Sequence, residues 1–331
     1  MPYENEKKNG GIMTLAVTEQ NNDIQANIDY MTKSHLRNVM QLAVFYTVRG
    51  DIYAINISKI QSFLIKDELE ILEAPSNNPY VVGLINLRGE IIYIVDFDKW
   101  LGYNTNIDEN KIVIVCNYNQ KKVGILVKDI IKIEEKASEE LKMPSSKDPK
   151  ISYVTDIFLE DKNSSKMCII FDAERLLFDT NTGDKTAKNT IYDIDSFNIT
   201  SKISSRKLVL VAEDSSIVID KLSKFFKNIN LNFEIYENGQ LLIDRLDTLS
   251  PKEVGLVITD IEMPIKNGYQ VIKYIKEESD YSDIPVISLT SMTNQGVKDK
   301  IIQLGAIDLV NKSDLNKLYS YLKEILEGGE K

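Results

Sequence analysis

The sequence predicts a two-domain protein in which a mostly-β domain is followed by a doubly wound α/β domain. The chain has 331 residues, more than one hydrophobic core usually holds. Short runs of β-branched and aromatic residues fill residues 38–180, whereas strand and helix patterns alternate after Arg206. The segment between them, residues 181–206, is rich in Asn, Thr, Ser and Asp and predicts a linker. We therefore expect a polar arm over 1–37, a β domain over 38–180 and an α/β domain over 207–331.

The β domain is predicted from seven short apolar runs bounded by Gly, Asn, Asp and Lys. They read QLAVFYTV, IYAINI, IIYIVDF, KIVIVCNY, KVGILVKDIIKI, ISYVTDIFL and KMCIIFD. This spacing is typical of an all-β barrel or sandwich. Helical periodicity is scarce here, apart from DKWLG and AERLLF.

The α/β domain is predicted from five apolar runs, each followed by a segment with helical periodicity. The runs are Leu208–Ala212, Phe233–Tyr236, Leu256–Thr259, Pro285–Leu289 and Ile307–Val310. Alternating strands and helices indicate a parallel sheet covered on both faces. Chemistry in such folds is expected at the carboxyl ends of the strands.

The composition restricts the classes of function. Hydrophobic residues make up 43% and charged residues 27%, which suggests neither disorder nor a membrane protein. A net charge of -10 argues against a general nucleic-acid-binding surface. The sequence shows no apolar run of the kind that a signal peptide or membrane helix needs, so we expect a cytoplasmic protein without direct membrane insertion.

Cysteine and histidine usage narrows the chemistry further. Cys116 and Cys168 lie in strand-like apolar runs, so we expect buried free thiols in a reducing compartment. His35 is the only histidine, and we interpret it as a solvated residue ahead of the first strand. One histidine excludes a His-based metal site and a Ser-His-Asp triad, and it argues against a histidine kinase.

Three carboxylates follow two strands of the predicted parallel sheet. Glu213 and Asp214 come directly after the first strand, and Asp260 ends the third. Burying like charges together costs several kcal/mol unless a positive charge compensates. Hard oxygen ligands with room for water suit Mg²⁺, so we predict a cation here. Alternatively, the first two acids could cap the helix that begins near Ser216.

Two further residues stand at strand ends of the same sheet. Thr290 follows the fourth strand and Lys312 follows the fifth. Taken alone, Thr290 could be a helix cap and Lys312 a solvated loop charge. Together with the acidic set, they make residues 207–327 resemble the receiver domain of response regulators, a flavodoxin-like doubly wound fold.

The receiver resemblance implies a role for each of these residues. Asp260 would accept a phosphoryl group from a kinase phosphohistidine and become an acyl phosphate. Lys312 and Thr290 would bind phosphoryl oxygens, and movement of Thr290 would start the conformational change. The implied ligands of Mg²⁺ are Glu213, Asp214, Asp260 and the backbone carbonyl of Glu262.

The sequence departs from the receiver pattern at three positions. Leu309 stands where many receivers have Tyr or Phe, and Ser313 stands where Pro is frequent. Glu262, two residues after Asp260, adds a negative charge near the phosphoryl group. We hypothesise that this charge disfavours positioning of water and lengthens the lifetime of the acyl phosphate. An unchanged dephosphorylation rate in Glu262→Asn would reject this hypothesis.

The most informative stretch of the β domain is GLINLRGEIIYIVDFDKWLG, residues 83–102. Its residues predict a hairpin reversing at Arg88-Gly89 and then a short helix. The stretch resembles the central motif of CheW-like coupling domains, and the resemblance extends over residues 39–178. It implies two SH3-like five-stranded barrels that bind the histidine kinase CheA and the cytoplasmic tips of chemoreceptors, the methyl-accepting chemotaxis proteins. Arg88 would contact these partners, or it would be a solvated loop residue. Trp100 would be either a core anchor or an interface residue.

The order of the two domains resembles the CheV type of chemotaxis coupling protein. This implies a non-enzymatic adaptor, recruited to membrane-associated receptor arrays, whose Asp260 takes phosphate from CheA to modulate coupling or to act as a phosphate sink. Two alternatives remain open. One is a metal-dependent phosphatase of the haloacid dehalogenase group, whose D-x-D pair Asp260-Ile261-Glu262 only approximates. The other is a structural scaffold with a silent receiver.

Overall fold

The computed structural model describes residues 39–118, 121–145, 148–159, 164–181, 202–291 and 295–328. The predicted polar arm, His35 and most of the predicted linker lie outside the described residues. Among the described residues, no helix is both long and apolar enough to cross a lipid bilayer. Cys116 and Cys168 are both buried, as predicted, and neither is joined in a disulfide among the described residues.

The described part of the β domain contains ten strands. They are β1 (Val39–Tyr46), β2 (Ile52–Asn56), β3 (Ile60–Ile65), β4 (Val81–Leu87), β5 (Glu90–Asp96), β6 (Ile112–Tyr118), β7 (Lys121–Val127), β8 (Asp129–Ala137), β9 (Ile151–Phe158) and β10 (Ser165–Phe171). One sheet has the order β8-β1-β2-β10-β9 and the other the order β3-β6-β7-β5-β4. Two five-stranded units were predicted, and both are present. A short 3-10 helix (Ile57–Lys59) and the helices α1 (Phe97–Leu101) and α2 (Ala173–Asn181) connect or follow strands.

An aromatic cluster joins the two sheets of the β domain. Phe97 of α1 packs edge-on against Phe45 of β1 and Phe171 of β10, with ring centroids 5.1 and 4.8 Å away. Trp100 is fully buried beside them, and its indole Nε1–H donates to Asp179 Oδ2 at 3.0 Å. The interpretation of Trp100 as a core anchor is therefore confirmed.

The reversal between β4 and β5 is a two-residue turn. Leu87 pairs with Glu90, and the two residues between them, Arg88 and Gly89, both have positive φ, 55° and 89°. This is the left-handed pattern of tight hairpins, whose twist matches that of the flanking strands. The predicted hairpin is confirmed, and Arg88 is exposed at its tip.

The α/β domain is a five-stranded sheet covered by helices on both faces. Its strands are β11 (Leu208–Ala212), β12 (Phe233–Tyr236), β13 (Val254–Asp260), β14 (Val286–Thr290) and β15 (Asp308–Asn311), in the order β12-β11-β13-β14-β15. Every neighbouring pair is parallel. Its helices are α3 (Ser216–Asn228), α4 (Gly239–Leu246), α5 (Gly268–Lys273), α6 (Gln295–Gln303) and α7 (Leu315–Glu327), and a π-helical turn (Tyr274–Glu278) continues α5. The doubly wound fold class is confirmed.

The structure differs from the sequence prediction in several strand bounds and in the linker. Strand β15 begins at Asp308, one residue later than the predicted apolar run, and its carboxylate accepts bonds from Lys298, Lys317 and Tyr321. Ile203, inside the predicted linker, is buried in the apolar core of the α/β domain. The packed α/β unit therefore starts before Lys207.

Candidate functional site

The site lies at the carboxyl ends of the central parallel strands. Asp260 is the last residue of β13, Thr290 is the last of β14, and Lys312 follows β15. Glu213 and Asp214 follow β11. Because neighbouring strands are parallel, their carboxyl ends lie at the same edge of the sheet, and residues far apart in sequence meet there.

Lys312 is the central cation of this edge. Its Nζ donates to Glu213 Oε1 at 2.9 Å and to Asp260 Oδ2 at 3.0 Å, and only 5% of the side chain is exposed. The backbone fixes it from both sides. Its N–H donates to the carbonyl of Thr290 at 2.9 Å, and its carbonyl accepts from the buried Lys221 Nζ at 2.8 Å.

The acidic residues form a compact oxygen cluster. One carboxylate oxygen from each of Glu213, Asp214 and Asp260 lies within 4.8 Å of the others. Burial, opposed by Lys312 and reinforced by Asp260, raises the pKa of Glu213 well above its usual range. Burial also raises the pKa of Asp214 to about 7, with Asp260 adding to it and Lys59 opposing it. Burial is thus the main cause of both shifts, and the neighbouring Asp260 charge adds to it.

The oxygen cluster fits a divalent cation. Glu213 Oε2 is buried and has no hydrogen-bond partner among the described residues. A buried carboxylate oxygen without a partner is costly, and ligation of a hard cation would satisfy it. The donor set is all oxygen, which suits Mg²⁺ rather than softer metals.

The backbone around Asp260 is closely packed. Asp260 Oδ1 accepts from the N–H of Ile261 at 2.7 Å, which fixes the carboxylate plane. At Gly268, the first residue of α5, a Cβ would lie 2.2 Å from the carbonyl oxygen of Asp260. Only glycine allows this approach, so Gly268 positions the chain that carries Asp260.

The alternative roles considered for the site residues were helix capping and, for Lys312, a solvated loop charge. The structure supports only the capping role, for Glu213. Glu213 Oε1 accepts from the Ser215 N–H at 3.1 Å, so this acid also satisfies a donor at the start of α3. Thr290 is 3% exposed at the end of β14, and Lys312 is buried. Lys312 is therefore not a solvated loop charge.

Arg88 and Glu262 occupy different surroundings. Arg88 lies at the β4–β5 hairpin of the β domain, and it takes no part in the contacts described above. Glu262 is half-buried, and burial together with the Asp260 charge raises its pKa, while Lys59 opposes the rise. The charge of Glu262 thus faces the same cluster as Asp260.

One member of the site comes from the β domain and was not predicted. Glu174, in the first turn of α2, accepts from Lys312 Nζ at 3.1 Å and from the Ser291 hydroxyl at 2.8 Å. Its side chain is 5% exposed. An acid in the first turn of a helix is so common that nothing in the sequence marks it as a partner of a lysine 138 residues away.

Comparison with known families gives the class of each domain. Residues 42–180 match the CheW-like domain family, and residues 209–323 match the response regulator receiver domain family. The fold and the strand-end residues described above agree with both matches. The chain is therefore a CheW-like domain joined to a receiver domain.

That combination defines a CheV-type chemotaxis protein, and this chain is one. It is 29% identical to chemotaxis protein CheV2 of Helicobacter pylori over 322 residues, covering 91% of this chain and 99% of the relative. It is 28% identical to CheV1 of the same organism over 327 residues, covering 92% and 99%. The chemotaxis protein CheW of Klebsiella aerogenes is 28% identical over 159 residues, 46% of this chain and 90% of that protein.

Proposed function

We propose that this protein is a chemotaxis adaptor whose receiver accepts a phosphoryl group on Asp260 from the histidine kinase CheA. The observation that carries the proposal is the contact of Lys312 Nζ with Asp260 Oδ2 at 3.0 Å beside the oxygen cluster of Glu213 and Asp214. A carboxylate nucleophile, a buried cation and a metal-binding acidic set are the parts that phosphoryl transfer needs.

In the proposed reaction, a carboxylate oxygen of Asp260 attacks the phosphorus of a phosphohistidine. The new O–P bond forms as the P–N bond breaks, and the departing imidazole nitrogen keeps the electron pair and takes a proton from solvent. Lys312 neutralises charge on one phosphoryl oxygen, and the Thr290 hydroxyl donates to another. Glu213, Asp214, Asp260 and the backbone carbonyl of Glu262 would hold Mg²⁺, which supplies charge neutralisation when bound.

The β domain supplies the coupling function in this proposal. It would bind CheA and the cytoplasmic tips of chemoreceptors, and this binding would recruit the protein from the cytoplasm to membrane-associated arrays. Arg88 is exposed at the β4–β5 hairpin, and Ile91 and Tyr93 of β5 are 57% and 41% exposed. A basic side chain beside exposed apolar side chains supports a protein-binding surface there.

Incubation with radiolabelled phospho-CheA tests the phosphoacceptor role. We expect acid-resistant, base-labile label on the wild type and none on Asp260→Ala. Asp283→Ala is the matched control, because Asp283 is exposed just before β14, at the opposite end of the sheet. Equal labelling of wild type and Asp260→Ala rejects the proposal. Sustained hydrolysis of a small phosphate ester would instead favour a phosphatase.

A further inference from the structure

The β domain places a carboxylate inside the receiver site, although the two belong to different domains. We propose that Glu174 occupies the phosphoryl-binding position of the α/β domain, so that docking of the β domain and a phosphoryl group on Asp260 compete for the Lys312 ammonium. This inference rests on the proposed function of Asp260.

Glu174 uses the lysine that a phosphoryl oxygen on Asp260 would use, and the hydroxyl that it contacts belongs to Ser291, the residue after Thr290. Glu174 Oε1 accepts from Lys312 Nζ at 3.1 Å and from the Ser291 hydroxyl at 2.8 Å. The same ammonium contacts Asp260 at 3.0 Å. A phosphoryl group on Asp260 would add negative oxygens beside Glu174 in a buried site, where like charges repel strongly. The Glu174 carboxylate and a phosphoryl group on Asp260 therefore cannot both bind Lys312 without a large cost in free energy.

The β domain also presents a cation to the acidic side of the site. Lys59 ends the 3-10 helix Ile57–Lys59. Burial alone would lower the pKa of Lys59, but the charges of Glu174, Asp214 and Glu262 raise it. One domain thus offers an anion to the receiver's lysine and an ammonium to its acids. This is the charge pattern of a phosphoryl group with its divalent ion.

Further contacts surround the mouth of the site. The Ser215 hydroxyl donates to Asp172 Oδ2 at 3.0 Å, and α2 contacts α3. The Tyr153 hydroxyl donates to the carbonyl of Glu237 at 3.1 Å. These residues follow β11 and β12 or face them from the β domain, so the docked domain covers the carboxyl edge of the receiver sheet.

The loop after Asp260 is held by the β domain as well. Ile265 has a φ of 67°, a conformation that β-branched residues rarely adopt. Its side chain packs against the buried apolar cluster of the first sheet, a cluster that includes Leu42, Val44 and Ile157. Strained backbone of this kind persists only where surrounding contacts fix it. Loss of docking would therefore free the segment that follows the phosphoacceptor.

Competition for Lys312 makes docking and phosphorylation reciprocal. If phosphorylation weakens docking, docking must oppose phosphorylation by the same factor. Because Glu174 already occupies Lys312, the docked form would accept phosphate slowly, and the phosphorylated form would release the β domain and expose the surface that faces the site.

Distance measurement between spin labels in the full-length protein tests this competition. Lys166→Cys in β10 and Lys252→Cys before β13 give one exposed attachment site in each domain, and the native cysteines are buried. We expect one narrow distance without phosphoryl donor and a shifted or broadened distribution with acetyl phosphate and Mg²⁺. Acetyl phosphate transfers its phosphoryl group to the Asp260 oxygen as its P–O bond breaks and acetate leaves. An Asp260→Asn background should keep the narrow distance.

Variants of the β domain separate docking from chemistry. Glu174→Gln removes the competing charge, and we expect phosphorylation by acetyl phosphate to be at least threefold faster and a second distance to appear without donor. Tyr153→Phe removes a docking bond outside the acidic cluster, and a smaller change in the same direction is expected. Glu70→Gln is the control, because Glu70 is exposed between β3 and β4. Melting curves verify that each variant is folded.

The outcomes distinguish the two proposals. A wild type that takes up no phosphoryl group rejects the phosphoacceptor role, and the competition is rejected with it. A wild type that is phosphorylated without any change in distance, together with unchanged rates in Glu174→Gln and Tyr153→Phe, rejects the competition alone.

Discussion

Replacing Lys312 with Met tests whether one buried ammonium compensates three carboxylates. Its Nζ contacts Glu174, Glu213 and Asp260, each at 2.9 to 3.1 Å. Removing one partner of a buried ion pair typically costs about 3–5 kcal/mol, because the remaining charge is left buried and unpaired. The carboxylates can reduce this cost by taking up protons. We therefore expect a loss of about 3 kcal/mol in the free energy of unfolding at pH 8 with EDTA present.

The pH dependence of Lys312→Met has a definite sign. Burial acts to raise the pKa of Glu174, but the Lys312 charge now lowers it, and burial already raises the pKa of Glu213 against the same charge. Without the ammonium, both pKa values would rise. Groups shifted upward stabilise the fold below the unfolded pKa, and that contribution is lost as pH rises through the folded pKa. The deficit relative to wild type should therefore shrink between pH 8 and pH 5.

Urea denaturation of the full chain at the two pH values measures this deficit. Lys252→Met is the matched control, because Lys252 is exposed in the turn before β13. Equal stability of Lys312→Met and wild type at both pH values would refute the assignment of Lys312 as the compensating cation. A deficit that grows toward pH 5 would refute the protonation argument.

Three further predictions concern single residues. Burial would raise the pKa of Asp308, but its hydrogen bonds from two lysines and a tyrosine hold it well below the usual range. Asp308→Asn should lose about 1–2 kcal/mol at pH 7, and thermal melts should show the difference beginning to shrink as pH falls below about 4, toward the lowered pKa. Trp100→Phe leaves the Asp179 carboxylate without its indole donor and creates a cavity, so urea denaturation should show a loss of about 2–4 kcal/mol. Gly268→Ala places a Cβ against the Asp260 carbonyl, so we expect about 1–3 kcal/mol of destabilisation and slower phosphorylation by acetyl phosphate, and equal stability and rate would contradict the packing argument.

The receiver site could be predicted because it depends on local patterns and on one rule of topology. Each of its residues ends or follows an apolar run, and parallel strands bring those ends together. The start of β15 was placed one residue early because Ile307 is apolar, although its side chain is 42% exposed and the strand begins at Asp308. Asp308 is 5% exposed although it is charged, and its ion pairs with Lys298 and Lys317 make that burial tolerable.

The contribution of the β domain could not be predicted in the same way. Glu174 reaches Lys312 only because two separately folded domains dock, and docking leaves no periodicity in the sequence. Ile265 is a second example. It looks like an ordinary loop residue in MPIKNG, whereas its positive φ and its contact with the β domain appear only in three dimensions.

The departure at Leu309 bears on how a phosphorylated receiver would signal. An aromatic residue at this position turns inward on activation in the receivers that this sequence resembles, but Leu309 is an aliphatic side chain buried at 5% exposure. Leucine has no ring or hydroxyl to exchange between a solvent-facing and a buried position. In the proposed mechanism, the output passes instead through the carboxyl edge of the sheet, where Glu174 and Ile265 connect the two domains. If this route operates, Leu309→Ala should lower stability but leave the change in interdomain distance on phosphorylation intact, and spin-label distances in that variant measure it.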